Sequence, residues 1–185
     1  MEIEAEKTAD RKLNSLVAIT VLLVSVFLSV SKLKDDNLVR KMDFVKADSV
    51  DIWNEYQAER LKLHGDENAS QAVMILPTKN GQAANAEKGR LEKQIAKYTA
   101  QSNVLANRAR NADALYKVLE FRHDQFDMED SILSITLALT AVAALTETYW
   151  LLIVGWVFAG LGFIMGLSGF LEWSVHPEFL ARLLG

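Results

Sequence analysis

Histidine is the first residue type to question, because imidazole is the side chain best suited to proton transfer and metal ligation near neutral pH. The chain has three, His64, His123 and His176, far apart in sequence. They lack the paired helical neighbours of a metal site. His123 with Asp124 and Asp127 comes nearest, and on a helical wheel of seven-residue repeats these three face apart or into solvent. Glu172 and His176, four residues apart after a long apolar run, suit an interfacial hydrogen bond better than catalysis. There is no GxSxG, HExxH or phosphate-binding loop, and the absence of Cys removes thiolate nucleophiles, disulfides and thiol metal sites. No acid, base, nucleophile or metal set converges, so the expectation is a protein that is not an enzyme and needs no cofactor or metal.

A second group could bind rather than react. In the stretch 51–62, DIWNEYQAERLK, the residues Trp53, Tyr56, Gln57 and Arg60 share one helical face by their spacing of three and four. Such a face can stack on a ligand or hold a cation. The competing reading, and the one expected here, is an aromatic anchor within a helix bundle.

The elements that must position these residues are helices. Two Pro and nine Gly in 185 residues favour long helices, and the expected class is an all-α membrane protein. A net charge of −4 gives no basic patch for nucleic acid. Residues 1–12 form an N-terminal tail. Residues 13–31 carry no charge and suit a retained transmembrane helix, since they exceed the apolar core of a secretory signal and no small-residue cleavage site follows. Residues 131–146 and 148–171 are two further apolar runs, turning around Thr146 to Trp150, with Tyr149 and Trp150 at the interface and Glu147 reaching water. Residues 172–185 form a C-terminal tail.

Between the spans, 32–130 reads as an antiparallel coiled-coil hairpin. Leu38, Met42, Val45, Ser49, Ile52, Tyr56, Glu59 and Leu63 follow one another in steps of four and three. So do Leu91, Ile95, Tyr98, Ser102, Leu105, Ala109, Ala112, Tyr116, Leu119, His123 and Phe126. The first series extends backward through Asp35 and Ser31 to Leu28. A loop is expected near 65–86, marked by Gly65, Pro77 and the Asn80–Gly81 pair, with the apolar patch Ala72 to Leu76 tucked against the helices. The small and polar seam residues suggest that other copies complete the packing. On the third span Gly155, Ala159, Gly162, Gly166 and Gly169 make a face nearly without side chains, which lets another backbone come close. Ser134, Ala138 and Ala141 on the second span offer a partner face within the chain, and another copy is the alternative.

A first membrane helix, a WxxYQA element on the following helix, a charged helical hairpin and two closing spans resemble the bacterial membrane proteins of the domain of unknown function 4337 family. The specific part is Trp53, Tyr56, Gln57, Ala58 and Lys62; where the family tends to continue YQAK, this chain has Glu59. The resemblance implies a bacterial inner-membrane location and assigns no activity. Lys32, Lys34, Arg40, Lys41, Lys46, Arg122 and Arg182 outnumber Lys7, Arg11 and Lys12, which places the hairpin and C-terminus in the cytoplasm, although a connection of this length can be translocated whatever its charge. The reading that follows is a non-enzymatic membrane scaffold that lies in the lipid bilayer, self-associates as a homo-oligomer and presents its hairpin to a larger membrane complex. The alternative is an oligomeric channel or transport component lined by Asn14, Ser15, Thr20, Ser25 and Ser29.

Overall fold

A computed structural model describes residues 2–75 and 81–173, with side chains placed from residue 11 onward. It contains three α-helices, α1 (Glu2–Ile75), α2 (Gly81–Thr146) and α3 (Tyr149–Leu171). No strand occurs among the described residues. Each helix holds a stretch long and apolar enough to cross a membrane.

The loop expected over 65–86 is mostly helix. α1 runs through Gly65 to Ile75 and α2 begins at Gly81. One internal glycine costs a helix only about 1 kcal/mol, and here the flanks hold it: Leu63 is buried before Gly65, Ser70 after it, and His64 meets Glu67 at 2.9 Å. The described part of that patch, Ala72 to Ile75, is not tucked away either, since Met74 is 62% and Ile75 80% exposed. Leu76, Pro77 and Asn80 lie outside the described residues.

The turn around Thr146 to Trp150 falls where the charge pattern places it. Glu147 takes a left-handed φ of 52°, Thr148 donates its backbone N–H to the Ala143 carbonyl at 3.1 Å, and α3 starts at once. α3 ends the same way, with Glu172 at φ 58° and the Trp173 N–H donating to the Ser168 carbonyl at 3.0 Å.

The chain divides into two compact units, Met1–Lys41 with Val118–Gly185, and Met42–Lys117. In the first, parts of all three helices pack together. Leu13 and Val17 meet Ala143 and Leu152 in one cluster, and Val24 meets Leu133 and Ala159 in another. Phe27 lies against Phe163 at 4.5 Å, and Phe126 meets Phe170 edge-on at 5.4 Å. The buried Thr136 and Thr140 donate to carbonyls one turn back, so they add no unpaired hydroxyl.

In the second unit Ile52 packs on Leu105 and Ala109, with Trp53, Tyr56 and Ala112 against the cluster. Positions of α1 and α2 meet in reverse order: Lys46 lies over the Tyr116 ring, Ser49 bonds Asp113, and Lys62 lies over the Tyr98 ring. The side chains turned inward are the periodic ones. Met42, Val45, Ser49, Ile52 and Leu63 are buried on α1, and Leu91, Ser102, Leu105 and Ala109 on α2.

Candidate functional site

The same periodicity, carried into the first unit, places polar side chains where apolar ones belong. Ser31, Asp35 and Leu38 continue the α1 series and all three are buried. On α2 the series passes Leu119, His123 and Phe126 and would next reach Asp130. Instead Glu129 is buried and Asp130 exposed, after which Leu133, Thr136, Thr140 and Ala143 turn inward. Two successive steps of three, 123 to 126 to 129, shift the inward stripe by one residue. That shift brings Glu129 inside.

His123 makes one hydrogen bond, at Nδ1, and a longer ion-pair contact at Nε2. Nδ1 lies 2.7 Å from Asp35 Oδ1, and Nε2 lies 3.5 Å from Asp127 Oδ2. Asp127 therefore shares the His123 face, against the sequence expectation, because a four-residue step brings it round the helix. Asp35, 88 positions away, is the partner that local spacing could not name. Burial by itself lowers the proton affinity of His123, but the hydrogen bond and charge of Asp35 and the charges of Asp127 and Asp124 outweigh it and hold the ring above its ordinary value. Asp35, His123 and Asp127 each bring one ligand atom within 4.8 Å of the others, a spacing that could hold a metal ion, and the His123–Asp35 hydrogen bond is the contact already made among them.

Beyond Asp35 lies a cavity of about 10 Å³ whose polar lining is Ser31, Lys32, Asp35, Asp127, Glu129 and Asp130. Glu129 is 0% exposed, and neither of its carboxyl oxygens nor the Ser31 hydroxyl makes a hydrogen bond. On its other side Glu129 rests on bare backbone: a Cβ on Gly166 would stand 2.5 Å from Glu129 Oε2 and 2.7 Å from the Phe27 ring. Past the end of α3 Arg122 meets Glu172 at 2.8 Å. The Glu172 to His176 pairing expected from spacing falls on His176, which lies outside the described residues.

The small-residue face of α3 points at α2 of the same chain. A Cβ on Gly155 would meet Thr140 at 3.4 Å, on Gly162 Leu133 at 2.5 Å, and on Gly169 Phe126 at 2.9 Å, while Ala159 packs with Val24 and Leu133. The partner face is thus Phe126, Glu129, Leu133 and Thr140. Ser134, Ala138 and Ala141, the face expected from their small size, are exposed. Large side chains fill a glycine groove more completely than small ones can.

The aromatic face of 51–62 is a packing element. Trp53 and Tyr56 meet edge-on at 5.4 Å, and the Trp53 indole N–H donates to Asp113 Oδ2 at 3.1 Å while the Ser49 hydroxyl donates to Oδ1 at 2.6 Å. The Ser49 bond, then the Trp53 bond, hold the Asp113 carboxyl below the usual carboxylate range. Gln57 is exposed, and Arg60 turns to His64 at 3.1 Å instead of joining the rings.

The family described as domain of unknown function 4337 (DUF4337) matches residues 13–172, and the chain belongs to it. No curated protein and no solved structure matches the chain.

Proposed function

We propose that the chain is a non-enzymatic multi-pass membrane protein of the bacterial inner membrane, whose α1 and α2 form an antiparallel coiled-coil hairpin that self-associates and is presented to partner proteins. The observation that carries this reading is the apolar surface left after the chain has packed on itself. In the first unit Ile19, Leu22, Val26, Val142, Ile153 and Val157 point outward, as side chains facing lipid do. In the second unit Phe44 and Leu61 are each 74% exposed although the inward stripe of their helix is already filled. Apolar side chains of that size on a polar helical pair suit cover by a second copy. The excess of Lys and Arg over residues 32–46 supports a cytoplasmic hairpin.

The glycine stripe gives this reading no help, since α2 already covers it. Of the residues named for the channel alternative, Thr20 is buried and accepts the Trp156 N–H at 2.9 Å, whereas Asn14, Ser15 and Ser29 stay exposed. Mass measurement of the full chain in mild detergent tests the scaffold reading. An oligomer that Phe44→Ser with Leu61→Ser reduces to monomers supports it; a wild-type monomer that copurifies with no other protein overturns it.

A further inference from the structure

Glu129 is unlike every other acidic residue among the described residues. It has no exposed surface, both oxygens lack a hydrogen bond, and its neighbours across the contact are the backbone of Gly166 and the Phe27 ring. An ionised carboxylate taken from water without a partner is costly enough that such groups bind a cation or a proton instead. The groups facing it are known from each packed helix. From α1 come Ser31, Lys32 and Asp35, from α2 itself Asp127 and Asp130, and from α3 no charged group among the described residues. Lys32 is held toward Asp35 at 3.8 Å, with its side chain mostly exposed.

A metal ion does not suit this place. Magnesium and calcium take six or more ligands, counting the waters that complete the shell, more than a cavity of about 10 Å³ accommodates. A proton needs one oxygen. It also needs a route, and the remaining polar groups supply one. Asp127 is exposed to water and lies 3.5 Å from His123, His123 is hydrogen-bonded to Asp35, and Asp35 lines with Glu129, Asp127 and Asp130 a cavity of about 10 Å³, room for about one water.

We propose that Glu129 is a proton-binding site loaded from water through Asp127, His123 and Asp35, the last step crossing the small cavity that Asp35 and Glu129 share. The transfer balances without any other reactant. His123 takes a proton at Nε2 from the Asp127 side and releases the one on Nδ1 to Asp35 Oδ1. Asp35 passes a proton through the cavity to Glu129, the ring stays in the Nε2–H tautomer while Glu129 is loaded, and unloading runs the same exchange in reverse and restores the first tautomer. The loaded state is a neutral carboxylic acid, which sits against Gly166 and Phe27 without an uncompensated charge. Unloading leaves a carboxylate there and works against the contact between α2 and α3.

Infrared difference spectroscopy of the full chain in detergent, with its proton–deuteron exchange, tests this. Wild type is expected to show a protonated-carboxyl C=O band at neutral pH that disappears in alkali and shifts in D₂O. Glu129→Gln is expected to remove that band and keep the helical circular dichroism, because an amide has the shape of the neutral acid. Asp35→Asn and His123→Gln are expected to keep the band but slow its exchange by about tenfold or more, as the loss of a positioned proton carrier does. A wild type without the band, a Glu129→Gln variant that keeps it, or one that fails to fold at neutral pH overturns the site. Exchange as fast in Asp35→Asn and His123→Gln as in wild type overturns the route.

Discussion

His123 Nδ1 stands 2.7 Å from Asp35 Oδ1, joining two residues 88 positions apart, both of which occupy inward positions of the helical repeat in the same compact unit. Because the folded ring holds its proton more tightly than a free one, its contribution to stability is fully present below about pH 6.5, the ordinary value for histidine, and is lost as pH rises through the raised folded value. His123→Gln is therefore expected to lower the melting temperature more at about pH 5.5 than at about pH 8, by the equivalent of on the order of 1 kcal/mol at the acid end. Thermal melts of the two proteins at both pH values check this. Equal losses would show that the pair adds nothing through its charge.

Asp113 predicts the opposite slope. Its folded carboxyl is held below the ordinary range by the Ser49 hydroxyl and the Trp53 indole, so that contribution is present above about pH 3.9 and is lost as pH falls through the lowered folded value. Asp113→Asn is expected to reduce the melting temperature at neutral pH and to flatten the acid side of the stability curve. Tryptophan emission during acid titration reads it, with Trp53→Phe as the reference for which of the four tryptophans responds.

Much of this arrangement was legible in the residue spacing, and the failures have physical causes. The steps of four and three picked out Ser49, Ile52, Leu105 and Ala109, which are buried, because a repeat of that period keeps one face of a helix inward whatever the residue. It carried Asp35 and Ser31 inward for the same reason. Glu129 escaped because the series slips there by one residue, and a carboxylate just before an apolar run reads as its solvated edge. Gly65 misled through its type: a lone glycine weakens a helix but does not end one whose neighbours stay packed. The pairing of His123 with Asp35 needed the partner helix, which spacing along one helix cannot supply.

The inward stripe of the second unit can be tested by adjacent residues. Leu105 is 6% exposed within the cluster of Ile52 and Ala109, whereas Val104 beside it is 58% exposed. Leu105→Ala is expected to cost about 2–3 kcal/mol, the range for a buried leucine whose site can partly collapse. Val104→Ala is expected to change stability by about 0.5 kcal/mol or less. Pulse proteolysis of the full chain across a denaturant series measures both, and a similar loss for the two would dissolve the distinction between the faces.

Gly160 and Gly162 offer the same substitution in two surroundings on α3. A Cβ at Gly160 meets nothing within 4 Å, while one at Gly162 would stand 2.5 Å from Leu133 Cδ2 and 2.6 Å from its Cγ. Gly160→Ala gains helix propensity of up to about 1 kcal/mol and is expected to be neutral or stabilising. Gly162→Ala forces Leu133 out of its place between Val24 and Ala159, and overpacking of that kind costs about 1–3 kcal/mol. Adding Leu133→Ala to Gly162→Ala should recover part of the loss, because the shortened side chain vacates the space that the new methyl needs. The contact lies within one chain, so the assembly size in detergent should stay unchanged while the melting temperature falls. A Gly162→Ala variant that keeps its melting temperature but dissociates would instead place the glycine face between copies.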